Sequence, residues 1–222
     1  FDQDVSGWNV SSVQDAEGMF DGCTAFNQSL NSWDWSSCTN LRRLLADCAA
    51  FNSAVNGWGS TTSGVTNING LFLGCTSFNQ PVSGIDTSAV TTAGTVFAQC
   101  TAFNQSLNSW DMSNCTTFFR MFQDAVAYNQ SMLSWDTGSC EDMAEMFDGA
   151  AAFNQNIAGW NISELTDAEG MFNGTVGISS ANTDNLLNGW AAQAPSVQNN
   201  VTLDTAGNRT SSSDAAVTTL TT

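Results

Sequence analysis

Seven cysteines carry the most versatile side-chain chemistry in this chain, and their spacing is regular. They fall into two sets, Cys23, Cys48, Cys75 and Cys100 in one and Cys38, Cys115 and Cys140 in the other. Neither set contains a CxxC motif, and the chain has no histidine to complete a typical zinc site. The spacing instead indicates that each set occupies one fixed position of a repeated unit.

Whether these cysteines form disulfides depends on how the repeated units stack. Equivalent residues of neighbouring units would have Cα atoms about 5 Å apart, within the range of roughly 4.4–6.8 Å that a disulfide spans. The allowed pairs are Cys23–Cys48, Cys75–Cys100 and Cys115–Cys140. Ala125 and Ala150 stand at the first position in other units, which favours buried thiols there. For Cys115 and Cys140 a disulfide and two free thiols both stay open.

Four aspartates share another fixed position, namely Asp34, Asp86, Asp111 and Asp136. Paired carboxylates could perform glycosidase chemistry, but a general acid needs an apolar pocket that raises its pKa. These aspartates follow polar turn residues, so we interpret them as a solvated acidic row, with weak Ca²⁺ binding at Asp111 and Asp136 as the alternative. Because histidine and a GxSxG motif are absent, we predict no enzyme, no catalytic residues and no cofactor.

Nine Asn-x-Ser/Thr sequons make the chain a candidate for N-glycosylation in a secretory pathway. The better candidates are Asn9, Asn161, Asn173, Asn200, Asn208 and Asn114. Asn27, Asn104 and Asn129 are weaker candidates, because each follows an aromatic residue at one fixed position of the repeat. Their regularity predicts an asparagine ladder that hydrogen-bonds the backbone at a turn.

The repeat itself is visible in the segment CTAFNQSLNSWD, which begins at Cys23 and recurs unchanged at Cys100. Seven units follow one another, numbered here as repeats 1–7, and they begin at Phe1, Phe26, Phe51, Phe78, Phe103, Tyr128 and Phe153. The period is 25 residues, except for one unit of 27 whose two extra residues fall in the polar stretch 59–64. Self-similarity of this kind is typical of solenoids.

The pattern inside one unit predicts two short elements. The segment FNQSLNSW suits a short strand with turns, whereas Ala16, Met19, Phe20 and Cys23 have the spacing of a short amphipathic helix. Stacked units would then form a parallel sheet, with phenylalanine, tryptophan and methionine columns in the core. The predicted fold class is therefore a leucine-rich-repeat-like solenoid with one strand and one short helix per 25-residue unit.

The regular pattern ends after Phe172, which suggests two parts. Residues 1–177 form the seven-unit solenoid, and residues 178–222 form an irregular C-terminal cap with a Ser/Thr-rich tail. Within the cap we expect a helix-like apolar cluster at Leu186, Leu187 and Trp190, followed by a strand at 201–203.

Composition limits the partners. The chain of 222 residues has 21 acidic residues, four arginines and no lysine, for a net charge of −17. Without a cationic surface it is not expected to bind nucleic acid, and without an apolar run of roughly 18 residues it is not expected to insert into a membrane. The lack of an initiator methionine suggests a mature or partial product of a longer precursor.

The repeat resembles the 25-residue repeat of BspA-like leucine-rich-repeat surface proteins. The segments that carry the resemblance are MFDGCTAFNQSLNSWD and MFDGAAAFNQNIAGWNIS. The closing LLNGWAAQ and NNVTLDTAG resemble the end of such arrays. The resemblance implies a solenoid on a secreted or surface protein that is used for attachment or binding. It transfers no catalytic residues.

From these observations we expect a non-enzymatic extracellular or cell-surface structural or adhesive glycoprotein. Phe1 begins a full repeat with no cap before it, so we expect upstream residues or another subunit to cover that end. End-to-end self-association could then form an extracellular filament, and other surface proteins or glycans are further partners. The alternative is a recognition module that holds a glycan or Ca²⁺ on its strand face or acidic row.

Overall fold

The computed structural model describes residues 1–193 of the chain. That range contains two 3-10 helices, Asn56–Trp58 and Ser60–Thr62, and one α-helix, α1, at Ser180–Ala191. It contains no extended strand and no sheet, because neighbouring repeats meet through isolated parallel bridges, from Asp15↔Asn40 to Asp142↔Asp167. The predicted leucine-rich-repeat-like fold, with a strand and a helix in each repeat, is therefore wrong. The predicted strand at 201–203 lies outside the described residues.

A run of tight turns replaces the predicted helix of each repeat. We call these eight residues the turn segment; the seven turn segments are 16–23, 41–48, 68–75, 93–100, 118–125, 143–150 and 168–175. The third and seventh residues of every turn segment have φ between 52° and 74°. A left-handed residue every fourth position is incompatible with a right-handed α-helix.

Backbone hydrogen bonds alternate in direction along the turn segment. In 118–125, the N–H groups of Phe118, Arg120, Phe122 and Asp124 donate to carbonyls of the next repeat over 2.7–3.0 Å. The N–H groups of the intervening residues 121, 123 and 125 donate to the carbonyl three residues earlier. The same alternation occurs in the other repeats that have a following repeat. In this segment four of the seven backbone–backbone hydrogen bonds therefore depend on the neighbouring repeat.

Aromatic rings fill the core between the turn segment and the start of each repeat. Leading rings of successive repeats stack with centroids 5.8–6.3 Å apart, from Phe26 to Phe153. A second ring from the turn segment lies closer still, as with Phe97 and Phe103 at 4.0 Å. The prediction that the aromatic columns form the core is confirmed, and the exceptions are Phe1 and Trp8, which are half exposed.

Repeat 3 accommodates its two extra residues in the predicted place. The two 3-10 helices lie in this part of the chain and flank Gly59, which forms a parallel bridge to Ile85 of repeat 4. Thr62 within the second 3-10 helix is buried, and its hydroxyl donates to the carbonyl of Asp86. The insertion therefore extends the polypeptide without removing the contact to the next repeat.

Helix α1 packs on repeat 7. Ser179 precedes the helix and its hydroxyl accepts the N–H of Asn182, as expected of an N-cap. The amide of Gln193, just beyond the helix, donates to the carbonyl of Trp160 over 2.8 Å. Leu186, Leu187 and Trp190 are buried in this helix, so the predicted helix-like cluster is confirmed.

Candidate functional site

An asparagine ladder runs along the start of the repeats. Each asparagine that follows the leading aromatic residue accepts, through its side-chain Oδ1, the backbone N–H of the equivalent residue in the next repeat over 2.8–3.0 Å. Its members are Asn27, Asn52, Asn79, Asn104, Asn129 and Asn154. The carboxylate of Asp2 begins the ladder, and the N–H of Ser179 ends it. The ladder predicted from the sequence is thus present.

Glutamine side chains reinforce this ladder. Gln105 donates from Nε2 to Oδ1 of Asn79, and Gln130 and Gln155 do the same to Asn104 and Asn129, over 2.8–3.0 Å. The sequon asparagines Asn104 and Asn129 therefore each use one oxygen for two donors. Their amides are held within the stack of repeats.

The other sequon asparagines lie on the surface. Asn9, Asn114, Asn161 and Asn173 are exposed, although Asn114 also donates to the carbonyl of Ser88 over 2.9 Å. Asn200 and Asn208 lie outside the described residues. Glycosylation at all of these positions stays a prediction.

The acidic row consists of turns closed by the aspartates themselves. Asp34, Asp86, Asp111 and Asp136 each accept, through one carboxylate oxygen, the N–H two residues later over 3.0–3.1 Å. The N–H of Ser36 lowers the pKa of Asp34 through this hydrogen bond, and the hydroxyl and N–H of Ser113 together lower the pKa of Asp111. A general acid needs the opposite shift, which argues against that role for Asp34 and Asp111.

Metal binding at this row has little geometric support. Across residues 1–193, no group of three or more histidine, cysteine, aspartate or glutamate side chains is arranged to hold a metal ion. One oxygen of Asp111 and one of Asp136 are already hydrogen-bonded within their own turns. Weak Ca²⁺ binding there stays a prediction.

A cavity that the sequence did not indicate lies between repeats 5, 6 and 7. Its volume is about 220 Å³, and its lining includes Phe119, Glu145, Asp167, Glu169 and Asn173. Arg120 lies over the Phe119 ring, with its guanidinium carbon 4.7 Å from the ring centroid, and donates to both oxygens of Glu145 over 2.8 Å. No motif predicts this cavity, because its residues come from three different repeats.

Arginine side chains connect neighbouring repeats elsewhere too. Arg42 pairs with Glu17, and Arg43 pairs with Asp21 over 2.7 Å and with Asp47 over 3.3 Å. The pairs with Glu17 and Asp21 join repeat 2 to repeat 1. The arginines of residues 1–193 are therefore all paired with carboxylates, and none contributes to a basic surface.

Cysteines of the first set form a thiol ladder. The thiols of Cys48, Cys75 and Cys100 are buried and donate to the carbonyls of Phe20, Leu45 and Phe72 in the preceding repeat over 2.9–3.1 Å. The sequence indicated small buried side chains at this position, but not a hydrogen bond. Sequence reasoning missed it because alanine occupies the same position in repeats 5 and 6.

Cys115 and Cys140 of the second set have different partners. Both are buried free thiols, and each contacts a carbonyl two residues later in its own repeat, at 3.3 and 3.4 Å. Burial raises the pKa of Cys115 to about 12 and also raises that of Cys140, so neither thiol ionises readily near neutral pH. A disulfide between them stays a prediction.

Tryptophan indoles form a further ladder that the sequence did not reveal. Trp33, Trp58, Trp110, Trp135 and Trp160 each donate from the indole nitrogen to a carbonyl of the preceding repeat over 2.9–3.3 Å. Asparagine, cysteine and tryptophan side chains therefore all connect neighbouring repeats. These three sets of side-chain hydrogen bonds hold neighbouring repeats together.

Comparison with known proteins gives one match. A family model described as Mycoplasma protein of unknown function, DUF285, matches residues 1–63, 60–143 and 121–202. No curated protein and no solved structure matches the chain. In residues 1–193, no helix has the length and apolar character needed to cross a membrane.

Proposed function

Because the chain belongs to the repeat family described as Mycoplasma protein of unknown function, DUF285, we propose that it is a non-enzymatic structural or adhesive protein of the cell surface. The observation that carries the proposal is the unbroken asparagine ladder from Asp2 to Ser179. Asparagine, tryptophan and first-set cysteine side chains join neighbouring repeats, as expected of a protein whose role is to present an extended surface.

The surface location draws on composition as well as on family membership. The chain has a net charge of −17 and carries exposed sequon asparagines such as Asn9 and Asn161. High charge of one sign keeps a repeat protein soluble and discourages non-specific association. The resemblance of the repeat motif to BspA-like surface proteins supports the same location, although their leucine-rich-repeat fold does not apply here.

Antibody labelling of intact cells that produce the protein tests the location. We expect labelling of intact cells equal to that of permeabilised cells. Labelling that requires permeabilisation would overturn the proposal. Beads coated with the folded chain, compared with beads coated with the urea-unfolded chain, test adhesion, and equal retention of both on a cell layer would remove the adhesive role.

A recognition module is the second candidate, and the cavity beside Phe119 favours it. Its volume of about 220 Å³ and its carboxylates suit a small polar ligand such as a sugar unit. A glycan array in the presence and absence of CaCl₂ tests this candidate. Binding that disappears in Glu169→Gln, but not in the matched variant Glu164→Gln outside the cavity, would favour recognition over a purely structural role.

Self-association is the partner interaction that we propose for a filament. Phe1 and Trp8 are 54% and 51% exposed, whereas the residues at the same positions of repeats 2–7 are buried. The chain has a net charge of −17, so like charges oppose a contact between two copies. We therefore expect larger species in sedimentation velocity at high salt than at low salt, and monomers at both would exclude a filament of this chain.

A further inference from the structure

Cys23 differs from the other six cysteines. It is half-buried, whereas the others are buried and donate a hydrogen bond to a carbonyl. Like Val13 and Met19, Cys23 is only partly buried and packs against the apolar core. Its thiol is therefore the most accessible to a reagent from solvent.

The nearest thiol in the ladder is that of Cys48. The carbonyl of Phe20 accepts two hydrogen bonds, one from the N–H of Cys23 over 2.9 Å and one from the thiol of Cys48 over 3.1 Å. Two donors on one oxygen must lie close together, so the Cys48 sulfur is next to the Cys23 backbone. Cys75 is one repeat further away and donates instead to Leu45.

We propose that Cys23 and Cys48 are a redox-sensitive pair, which forms a disulfide between repeats 1 and 2 when the protein meets a small-molecule disulfide. In the first step the Cys23 thiolate attacks one sulfur of the reagent, which forms a mixed disulfide and releases one thiolate. In the second step Cys48 loses its proton to solvent and attacks the Cys23 sulfur, which releases the second thiolate. The protein dithiol is oxidised, and the reagent is reduced to two thiols.

The two cysteines have different roles because their surroundings differ. Burial raises the pKa of Cys48 to about 12, with Asp21 and Asp47 nearby adding to the effect. Cys48 is therefore a slow nucleophile towards an external reagent, and the more accessible Cys23 reacts first. Once Cys23 carries the mixed disulfide, Cys48 attacks within the same molecule, where proximity compensates for its low thiolate fraction.

The substitution of Cys48 needed to test the pair is structurally reasonable. Alanine occupies the equivalent position in repeats 5 and 6, at Ala125 and Ala150, and both alanines are buried in the core. Cys75→Ala is the matched control, since Cys75 has the same kind of hydrogen bond one repeat further along.

The experiment uses the full chain and 2-hydroxyethyl disulfide, a neutral reagent that the charge of −17 does not repel. After quenching and alkylation, peptide mass mapping identifies each linkage. We expect a transient adduct on Cys23 and then a Cys23–Cys48 disulfide, in the unsubstituted chain and in Cys75→Ala. Cys48→Ala should stop at the adduct, and Cys23→Ser should not form the disulfide.

Several outcomes would contradict the proposal that Cys23 and Cys48 form a redox-sensitive pair. A persistent adduct on Cys23 of the unsubstituted chain would mean that Cys48 cannot reach it. A Cys48–Cys75 disulfide, a dimer linked through Cys23, or no reaction at all would each contradict the assignment too. A higher midpoint of thermal unfolding after oxidation, reversed by dithiothreitol, is expected because the bond closes a loop between two repeats.

Discussion

The turn segments and helix α1 have similar apolar spacing but different backbones. Phe118, Met121, Phe122 and Ala125 are buried at the spacing of a helix face, yet residues 118–125 form turns. Leu186, Leu187 and Trp190 have comparable spacing, and Ser180–Ala191 is a helix. In the turn segment every second N–H donates to another repeat, whereas the helix satisfies its own backbone. Stability is therefore shared between neighbours in the repeats and local in α1.

The largest expected effect on stability comes from side-chain truncation in the core, compared between a turn segment and α1. Phe122 packs against the rings of Phe97, Tyr128 and Phe147, with centroids 4.1–5.7 Å apart. Phe122→Ala should lower the free energy of unfolding by about 3–5 kcal/mol, because it leaves a cavity between three repeats. Leu186→Ala should mainly destabilise α1. Urea unfolding gives the loss of stability in each variant, and hydrogen exchange shows which residues lose protection. Faster exchange confined to repeat 5 in Phe122→Ala would contradict shared stability.

The tryptophan ladder offers a smaller test with an internal control. Trp135 donates its indole N–H to Leu107 O over 3.1 Å, whereas the buried indole N–H of Trp35 has no hydrogen-bond partner. Trp135→Phe should lose packing and about 1 kcal/mol of hydrogen bonding, whereas Trp35→Phe should lose packing but also remove an unpaired buried N–H, and so should cost less. Chemical denaturation of both variants gives the difference. Equal losses would mean that the indole ladder contributes nothing.

Removal of the Tyr128 hydroxyl should increase stability, unlike the substitutions above. Its hydroxyl is buried without a hydrogen-bond partner, and burial raises the pKa of this phenol. Tyr128→Phe should therefore raise the free energy of unfolding by about 1 kcal/mol, since phenylalanine occupies this position in the neighbouring repeats. Phe103→Tyr is the reverse control and should lower it. A destabilised Tyr128→Phe in thermal unfolding would mean that the hydroxyl has a partner.

The helix cap tests local stability. Ser179→Ala removes the hydroxyl that accepts the N–H of Asn182, and should cost about 1 kcal/mol. Because α1 satisfies its own backbone, faster hydrogen exchange is expected in the helix, with little change in repeats 1–6. Ser163→Ala, also near the end of the array but outside the cap, serves as a comparison. Faster exchange throughout the repeats would show that α1 is coupled to all of them.

The smallest expected effect is a change of the free energy of unfolding with pH. Arg120 lowers the pKa of Glu145 through hydrogen bonds, so the folded-state value lies below the unfolded one. The ion pair therefore stabilises the fold above about pH 4, and this contribution disappears as the pH falls through the folded pKa. Because both side chains are partly exposed, about 0.3–0.5 kcal/mol is expected. Glu145→Gln and the unsubstituted chain should differ at pH 7 and converge in acid; a constant difference would contradict this.

The sequence predicts the repeats, their register and the buried columns, because these depend on residue type and period. It also predicts the asparagine ladder, since an amide at every repeat has an obvious partner in the next one. It does not predict the turns. Residues such as Arg120, Asp124 and Glu145 have positive φ without being glycine, and their N–H groups donate to carbonyls of the next repeat, which helps to compensate for that strain.

The candidate site was predictable only in part. The acidic row and the exposed sequons follow from fixed positions in the repeat. The cavity beside Phe119 does not, because it depends on how Arg120 and Glu145 of adjacent repeats orient each other. Likewise, the spacing of Cys48 indicates its column, but not that its thiol shares a carbonyl with the N–H of Cys23.

The most direct test of the account is the NMR scalar coupling across hydrogen bonds, measured for the amide nitrogen of Phe122. Our account predicts a coupling to the carbonyl carbon of Met146 in the next repeat, where the N–H donates over 2.9 Å. A helical turn segment would instead couple the same nitrogen to the carbonyl carbon of Phe118, four residues earlier. The first result would confirm that neighbouring repeats hold each other in turns, and the second would contradict it.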